Sequence, residues 1–448
     1  MKKEYLIYKL SDEVKRSTKI PLKAFSQYGV KRGLRNEDGS GVLVGLTSIG
    51  NVVGYETAPD GTLCPCEGKL YYRGYELNDL VTPLLREERF GYEETAYLLL
   101  SGRLPDREEL EAFRQLINSC MPLDHRTTVH IIDIEGSNIM NILARCVLEM
   151  YATDPNPDDI SRDNLMRQSV GLIAKFPTII AYAYNIYRHS VRGRSLNIRY
   201  PEEGLSLAEN FLYMIRGKGY TALDARMLDL LLITQAEHGG GNNSTFTVRV
   251  TSSTRTDTYS SIAAGIGSLK GPLHGGANIR VSDMFHHLKT HVSDWTDREE
   301  IDTYLRKMAA GEAYDGTGLI YGIGHAVYTK SDPRAVQLKR LAGLLAKEKG
   351  REDEYRFLCL LEEEGIKTVR EAHHITRPIC ANLDFYSGFI YELIGLPVEV
   401  YTPIFAMARI AGWTAHRIEE LSMEGQRIIR PAYRNILTPK AYVPIDER

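Results

Sequence analysis

Apolar residues in this 448-residue chain recur mostly every three to four positions, a spacing that commits it to helices rather than sheet. After Thr221, the run Met227, Leu228, Leu230, Leu231 and Leu232 leads toward His238, with Asp224 in an acidic first turn and Thr221 placed to cap it. Asp332-Pro333 predicts a second start, because proline fits the first helical position. Val336, Leu338, Leu341, Leu344 and Leu345 then lie along roughly one stripe. A third helix is predicted over 401–421, with Ile404, Phe405, Ala408, Ala411, Ala415 and Ile418 facing inward. Further helices are expected over 92–101, 107–119, 161–188, 206–216, 296–309 and 352–363. Strand signals are few: Val42-Leu43-Val44, Lys69 to Tyr72, and Ile428 to Tyr433. The expectation is an all-α protein with minor β ribbons.

Between 258 and 270 helix formers mix with Gly265, Gly267 and Ser268, which lower helix propensity when exposed. Set among Ile262, Ala263, Ala264 and Ile266, these small residues are expected to let neighbouring helices approach. No repeat of fixed period is evident, which counts against a solenoid. The length exceeds a typical single core, so two domains are the default. Lys2 to Asn36, charged and weakly patterned, reads as a peripheral arm.

A net charge of −3 argues against nucleic acid as a partner, since binding phosphate backbones needs concentrated positive charge. It leaves room for a small anion held by a few arginines. Of the six cysteines (Cys64, Cys66, Cys120, Cys146, Cys359 and Cys380), only Cys64-Pro65-Cys66 is close-set. It lacks both the CxxC spacing and a second pair for zinc, so free thiols and no metal are expected. The start lacks the sustained apolar core of a secretion signal. The greasiest stretch, Phe176 to Tyr187, is too short and too polar to span a bilayer. A cytoplasmic protein without a membrane partner is expected.

Three glycine-framed segments carry the chemistry: Gly271-Pro272-Leu273-His274-Gly275-Gly276, Gly322-Ile323-Gly324-His325-Ala326-Val327-Tyr328, and Asn382-Leu383-Asp384-Phe385-Tyr386-Ser387-Gly388. Glycine lets a substrate approach the main chain closely. Two imidazoles and a carboxylate in such settings could supply a base and two hydrogen-bond donors for carbon-acid chemistry. Asp384 could also cap a helix over 385–393. His286-His287 and His373-His374 do not read as metal sites, because adjacent helix residues point in different directions. Gly322-Ile323-Gly324 lacks the third glycine and the frame of a dinucleotide fingerprint.

Together, in this order and spacing, the three segments closely resemble the citrate synthase family. Gly41-Val42-Leu43-Val44-Gly45-Leu46-Thr47-Ser48-Ile49, Tyr72-Arg73-Gly74-Tyr75 with Asp79-Leu80, and the run Phe90 to Leu100 are similar to further family segments. So is His238 followed by Asn243-Ser244-Thr245-Phe246, with an unusually glycine-rich link at Gly239-Gly240-Gly241. The similarity runs uninterrupted from Gly41 to Pro431. It implies a large helical domain over 1–278 and 387–448, a small domain over 279–386, and a site in the cleft between them that closes over substrate.

The resemblance further implies condensation of oxaloacetate with acetyl-CoA and hydrolysis of the thioester, without metal or tightly bound cofactor. Asp384 matches the family's base, His274 the donor to the thioester oxygen, and His325 the group that polarises the oxaloacetate carbonyl. His238, Arg334, Arg409 and Arg430 match oxaloacetate contacts, Arg430 reaching a neighbouring subunit's site in a homodimer. Leu319, Ile320, Tyr321, Gly322 and Gly324 fit the stretch that holds coenzyme A. Ala326 and Thr329 stand where several relatives carry basic residues. The close relative 2-methylcitrate synthase uses the same site with propionyl-CoA, and one methyl is worth only about 1–3 kcal/mol in a pocket. A non-catalytic helical interaction protein is the remaining alternative, disfavoured by retention of all three chemical residues.

Overall fold

A computed structural model describes residues 3–36, 40–134 and 136–448. Helix makes up 58% of the chain and strand 6%, which establishes the all-α class with a small sheet. Two compact units are present, one comprising Leu46–Ile428 and the other Met1–Gly45 with Ile429–Arg448.

Local signals act much as their chemistry dictates in the larger unit. Thr221 caps Ala222–Gln235 in a reciprocal box with Asp224, and Asp332 caps Pro333–Glu348 through the Arg334 N–H. The predicted helices appear as Tyr92–Ser101, Arg107–Cys120, Arg162–Ser190, Leu207–Arg216, Arg298–Ala309 and Tyr401–Ser422. The helix predicted to stop at 363 runs on as Glu352–Ala372. Its acidic continuation is neutralised across the fold: Arg298 meets Glu363 at 2.6 Å and Glu364 at 2.8 Å, and Arg306 meets Glu371 at 2.5 Å. Thr258–Leu269 is helical. Gly265 is buried there against Val248 and Trp413, while Gly267 is exposed and makes no such approach.

The core centres on Tyr401–Ser422, which is buried around nearly its whole circumference, its polar residues Arg409, His416 and Arg417 included. Arg162–Ser190, Asn243–Ser252, Ala222–Gln235 and Tyr92–Ser101 pack around it. Five helices of this unit lie outside those expected from the spacing: Leu77–Glu87, His125–Asp133, Ile139–Thr153, Asn243–Ser252 and Ala277–His291. Two of them do carry a stripe, Leu77, Val81 and Leu84 in the first and Ile139, Ile142, Leu143, Cys146 and Met150 in the third.

The sheet corrects two of the three strand expectations. Lys69 to Tyr72 closes the strand Leu63–Tyr72, where Leu70 and Tyr72 are buried between more exposed neighbours. Val42–Val44 and Ile428–Tyr433 form no strand. Leu63–Tyr72 instead pairs antiparallel with Gly50–Thr57, in register Gly50↔Tyr72 with an irregularity between Val53 and Tyr55, and then with Tyr75–Glu76. Gly50 and Gly54 hide that partner by diluting its β-formers. From this sheet the Tyr72 hydroxyl donates to the Ile233 carbonyl at 2.9 Å and lies 3.3 Å from that of Glu237. That anchors the helix end preceding His238.

In the smaller unit, Lys3–Ser17 is a helix with no buried residue, and Lys23–Gln27 buries only Ala24. The first residue expected for the arm, Lys2, lies outside the described residues.

Candidate active site

His274 sits in the turn between Thr258–Leu269 and Ala277–His291. The Gly275 N–H donates to the Leu269 carbonyl at 2.9 Å, and a Cβ at that position would lie 2.5 Å from the same oxygen, so only glycine fits. Thr402 holds the turn from the other side, its hydroxyl donating to the Gly275 carbonyl at 3.0 Å. His274 Nε2 lies 3.1 Å from Ser244 Oγ, which also accepts the Trp413 indole N–H at 3.2 Å. Nδ1 is therefore the ring nitrogen left for a substrate. Burial, reinforced by the Arg409 charge, pushes the His274 imidazolium down to about 4, so the ring is neutral at physiological pH.

The segments that carry His325 and Asp384 are joined by a short antiparallel main-chain zipper in which Ile323 faces Ala381. Gly324 N–H donates to the Cys380 carbonyl at 2.8 Å, Asn382 N–H to the Gly322 carbonyl at 2.8 Å, and the Asn382 side chain to the Gly324 carbonyl at 3.0 Å. Gly322 adopts φ +82, and a Cβ there would lie 2.8 Å from the Phe385 ring. Asn382 Oδ1 accepts the Asp384 N–H at 3.0 Å. Asp384 is thus the first residue of Asp384–Ile394, one position inside the helix rather than its cap.

The protonation of His325 follows from its neighbours. Its Nδ1 accepts the main-chain N–H groups of Val327 and Tyr328, each at 3.0 Å, which puts the proton of the neutral ring on Nε2. Arg334 Nη2 lies 3.3 Å from that Nε2. With the proton on Nε2 both atoms are donors, so neither satisfies the other. Arg334 is itself gripped by Asp332 through Nε at 3.0 Å and Nη2 at 2.7 Å. The His325 ring stacks on Tyr328 at 4.6 Å and meets His238 edge-on at 5.2 Å.

Arg409 is fully buried. Its Nε donates to the Gln235 carbonyl at 2.7 Å and its guanidinium lies over Phe405, yet Nη1 and Nη2 have no partner among the described residues. Burial lowers its pKa to about 10. His238 is likewise buried with Nε2 unpartnered, and desolvation together with Arg334 and His325 holds it well below the usual imidazole range. Leaving such donors unpaired is costly unless a ligand satisfies them. Burial raises the Asp384 carboxyl to about 7 even though Arg334 and Arg409 pull it back down. These mutual influences tie Asp384, His238, His325, Arg334 and Arg409 to one site, and His274 joins it through Arg409.

The remaining expected residues lie as follows. Ile320 is buried, half of Leu319 is exposed, and the Tyr321 hydroxyl donates to Asp315 at 2.7 Å. Thr329 is buried, its hydroxyl bonded to the Gly54 carbonyl at 3.1 Å. Arg430 belongs to the smaller unit and is exposed. His286 bonds the Ser282 carbonyl at 2.8 Å and lies 3.3 Å from Glu392, while His287 meets the Tyr304 hydroxyl at 2.8 Å.

Sequence reading missed a buried support for the site. Arg249 donates to His416 Nδ1 at 2.9 Å, so the ring proton sits on Nε2 and is given to Glu237 at 2.9 Å. Burial favours neutralising Glu237, but His416 and Arg409 more than offset this and keep it ionised. Glu237 immediately precedes His238 and balances Arg409. The sole signal in the sequence is a carboxylate at an otherwise apolar helix end.

A family model described as "Citrate synthase, C-terminal domain" matches residues 38–432. The 2-methylcitrate synthase 1 of Corynebacterium glutamicum is 34% identical over 431 residues, covering 94% of this chain and 98% of that protein. The citrate synthase of Synechocystis is 35% identical, covering 87% and 89%. Among solved structures, citrate synthase from Thermotoga maritima aligns with a TM-score of 0.73 at 29% identity, over 94% of this chain and 99% of that one. The citrate synthase of Thermoplasma acidophilum, solved with carboxymethyl coenzyme A and oxaloacetate, aligns at 0.74 and 27%, over 91% and 97%. The fold and these matches define an enzyme of the transferase type that catalyses a condensation. The chain belongs to the citrate synthase family.

Proposed function

We propose that the chain condenses acetyl-CoA with oxaloacetate and hydrolyses the thioester product to citrate and CoA, using the six side chains gathered in the larger unit. The observation that carries this reading is the pair of unpartnered Arg409 nitrogens beside the unpartnered His238 Nε2. A buried fork whose two terminal nitrogens donate to nothing suits a carboxylate taken up bidentately. Arg334 supplies the second positive charge for a dianion. The keto oxygen of oxaloacetate then fits the convergence of His325 Nε2–H and Arg334 Nη2.

In this scheme Asp384 removes a proton from the thioester methyl group. A carboxyl raised to about 7 is a stronger base than an ordinary aspartate, which a weak carbon acid demands. Neutral His274 donates from Nδ1 to the developing enolate oxygen. That requires the Ser244 hydroxyl to give its proton to Nε2. Trp413, donating to the same oxygen, leaves the hydroxyl free to do so, in competition with Asn242 Oδ1 at 2.9 Å. The enolate carbon attacks the keto carbon, and His325 Nε2 gives its proton to the alkoxide. Water then cleaves the thioester and releases the thiol of CoA. The thioester enters as substrate, and no step calls for a metal.

The stretch containing Leu319, Ile320, Tyr321, Gly322 and Gly324 is the proposed support for the CoA chain. Residues 279–386 form the proposed small domain, closing over the cleft against 1–278 and 387–448. The reaction is assigned to the cytoplasm, in keeping with six free cysteines, and no helix among the described residues is long and apolar enough to cross a membrane. Arg430 is proposed to complete a partner subunit's site in a homodimer. Light scattering is expected to give a dimer, and a fully active monomer would remove Arg430 from the site.

Acetyl-CoA is expected to be the better acyl donor. Comparing kcat/KM for acetyl-CoA and propionyl-CoA decides this, within the roughly 10–200-fold range that one methylene commands. A strong propionyl preference would make the product 2-methylcitrate.

A further inference from the structure

Away from the residues above, a cavity of about 570 Å³ is lined by Arg188, Arg199 and Arg216, with Tyr184, Ile215 and Leu396 among its walls. The chain as a whole carries a net charge of −3, so three guanidinium groups around one hollow are a local arrangement and not a reflection of composition. No acidic residue lines the hollow. Arg216 pairs with the buried Asp224 carboxylate at 3.7 Å, whereas Arg188 and Arg199 have no carboxylate partner among the described residues. Like charges lining one hollow repel unless an anion joins them.

These side chains are also held in place. Arg188 lies over the Tyr184 ring at 5.8 Å. The Arg199 guanidinium lies flat against Gly217, where a Cβ would come within 3.3 Å of Nε and Nη2. Arg216 lies in the same way against Gly395, 3.2 Å from where a Cβ would stand, and donates to the Ile394 carbonyl. Two glycines thus serve as shelves for two guanidinium planes. Arginines merely solvated at a surface need no such seats, whereas preorganised forks lose less freedom when they bind.

We propose that this hollow is a second anion site that takes a diphosphate group. A carboxylate engages one guanidinium fork, while a diphosphate fans its oxygens from two tetrahedra and carries enough charge for three. The volume falls within the range of small-molecule sites, and the apolar wall of Ile215 and Leu396 accommodates an organic substituent. The diphosphate is either free pyrophosphate or part of a nucleotide such as ADP. Gly395 directly follows Asp384–Ile394, so the hollow adjoins the far end of the helix that begins with Asp384. Eleven residues of helix separate the two ends by roughly 16 Å. An anion bound here does not displace oxaloacetate.

Calorimetric titration of the full chain with pyrophosphate and, separately, with ADP tests the proposal. Both titrations are made at physiological ionic strength with saturating oxaloacetate and CoA. One site per chain is expected, weakened about tenfold or more by Arg188→Gln and again by Arg199→Gln, with basal citrate formation near the wild-type rate. Intact basal turnover shows that the variants fold, and either variant alone suffices should the other fail. ADP binding much more tightly than pyrophosphate identifies a nucleotide, and equal affinities identify the diphosphate alone. Absence of binding at millimolar probe overturns the proposal. So does binding that both variants leave unchanged, or that CoA or oxaloacetate displaces.

Discussion

Replacing Asp384 with asparagine is expected to reduce kcat about a thousandfold while making the folded protein more stable at neutral and alkaline pH. The loss follows from removing the base, a contribution of about 10²–10⁴ in positioned proton transfer. Oxaloacetate should still bind, because the arginines and His238 remain. The stability change follows from the sign of the pKa shift. Burial raises the carboxyl from 3.8 to about 7, so the folded chain holds this proton more tightly than the unfolded one. As pH climbs from about 4 to 7, wild type loses stability that the neutral amide keeps. About three pH units correspond to at most about 4 kcal/mol, and the partial exposure of Asp384 reduces that figure. Melting curves of both proteins from pH 4 to 8 should therefore diverge with rising pH and run parallel above about 7. The same carboxyl predicts that wild-type kcat/KM for the acyl donor falls about tenfold per unit below pH 7. A variant within tenfold of wild-type turnover would remove Asp384 from the role of base, and melting curves that do not diverge would reject its raised pKa.

What sequence could and could not reveal about this site divides along a physical line. Helices whose stripe faces one core surface were legible, as were their caps at Thr221 and Asp332, because those signals lie within a few residues of one another. Asn243–Ser252 was not, since its buried face includes Ser244 and Thr245 and so does not read as apolar. The three glycine-framed segments announced their chemistry because backbone approach demands glycine locally. The His325 tautomer is set within its own motif by Val327 and Tyr328, but the groups that support His238 and His274 are assembled across the chain. Glu237 and His416 meet across 179 positions, and Ser244 and Trp413 across 169. Nothing in a pattern of spacing couples such pairs. Asn382 is an intermediate case: it lies within a motif, yet only its bonds to the Gly322 and Gly324 carbonyls show that it ties the His325 segment to the Asp384 segment.

Arg409→Leu is expected to weaken oxaloacetate binding by more than a hundredfold without destabilising the empty enzyme. A guanidinium with two nitrogens unpaired in a dry interior is a standing cost to the fold, and His416, the stronger influence on Glu237, stays in place when Arg409 is removed. A hundredfold corresponds to about 2.7 kcal/mol, inside the range of about 2–5 kcal/mol that truncating one partner of a buried, hydrogen-bonded charge pair costs. Thermal shift separates the two effects. Without ligand, the variant should melt at or above the wild-type temperature. With oxaloacetate, wild type should gain about 2.7 kcal/mol at a hundredfold excess over Kd, a gain the variant lacks at the same concentration. Arg409→Lys should recover only part of the binding, because an ammonium cannot present the planar fork while Nε holds the Gln235 carbonyl. Oxaloacetate affinity within threefold of wild type in Arg409→Leu would mean that the orphaned fork serves some other anion.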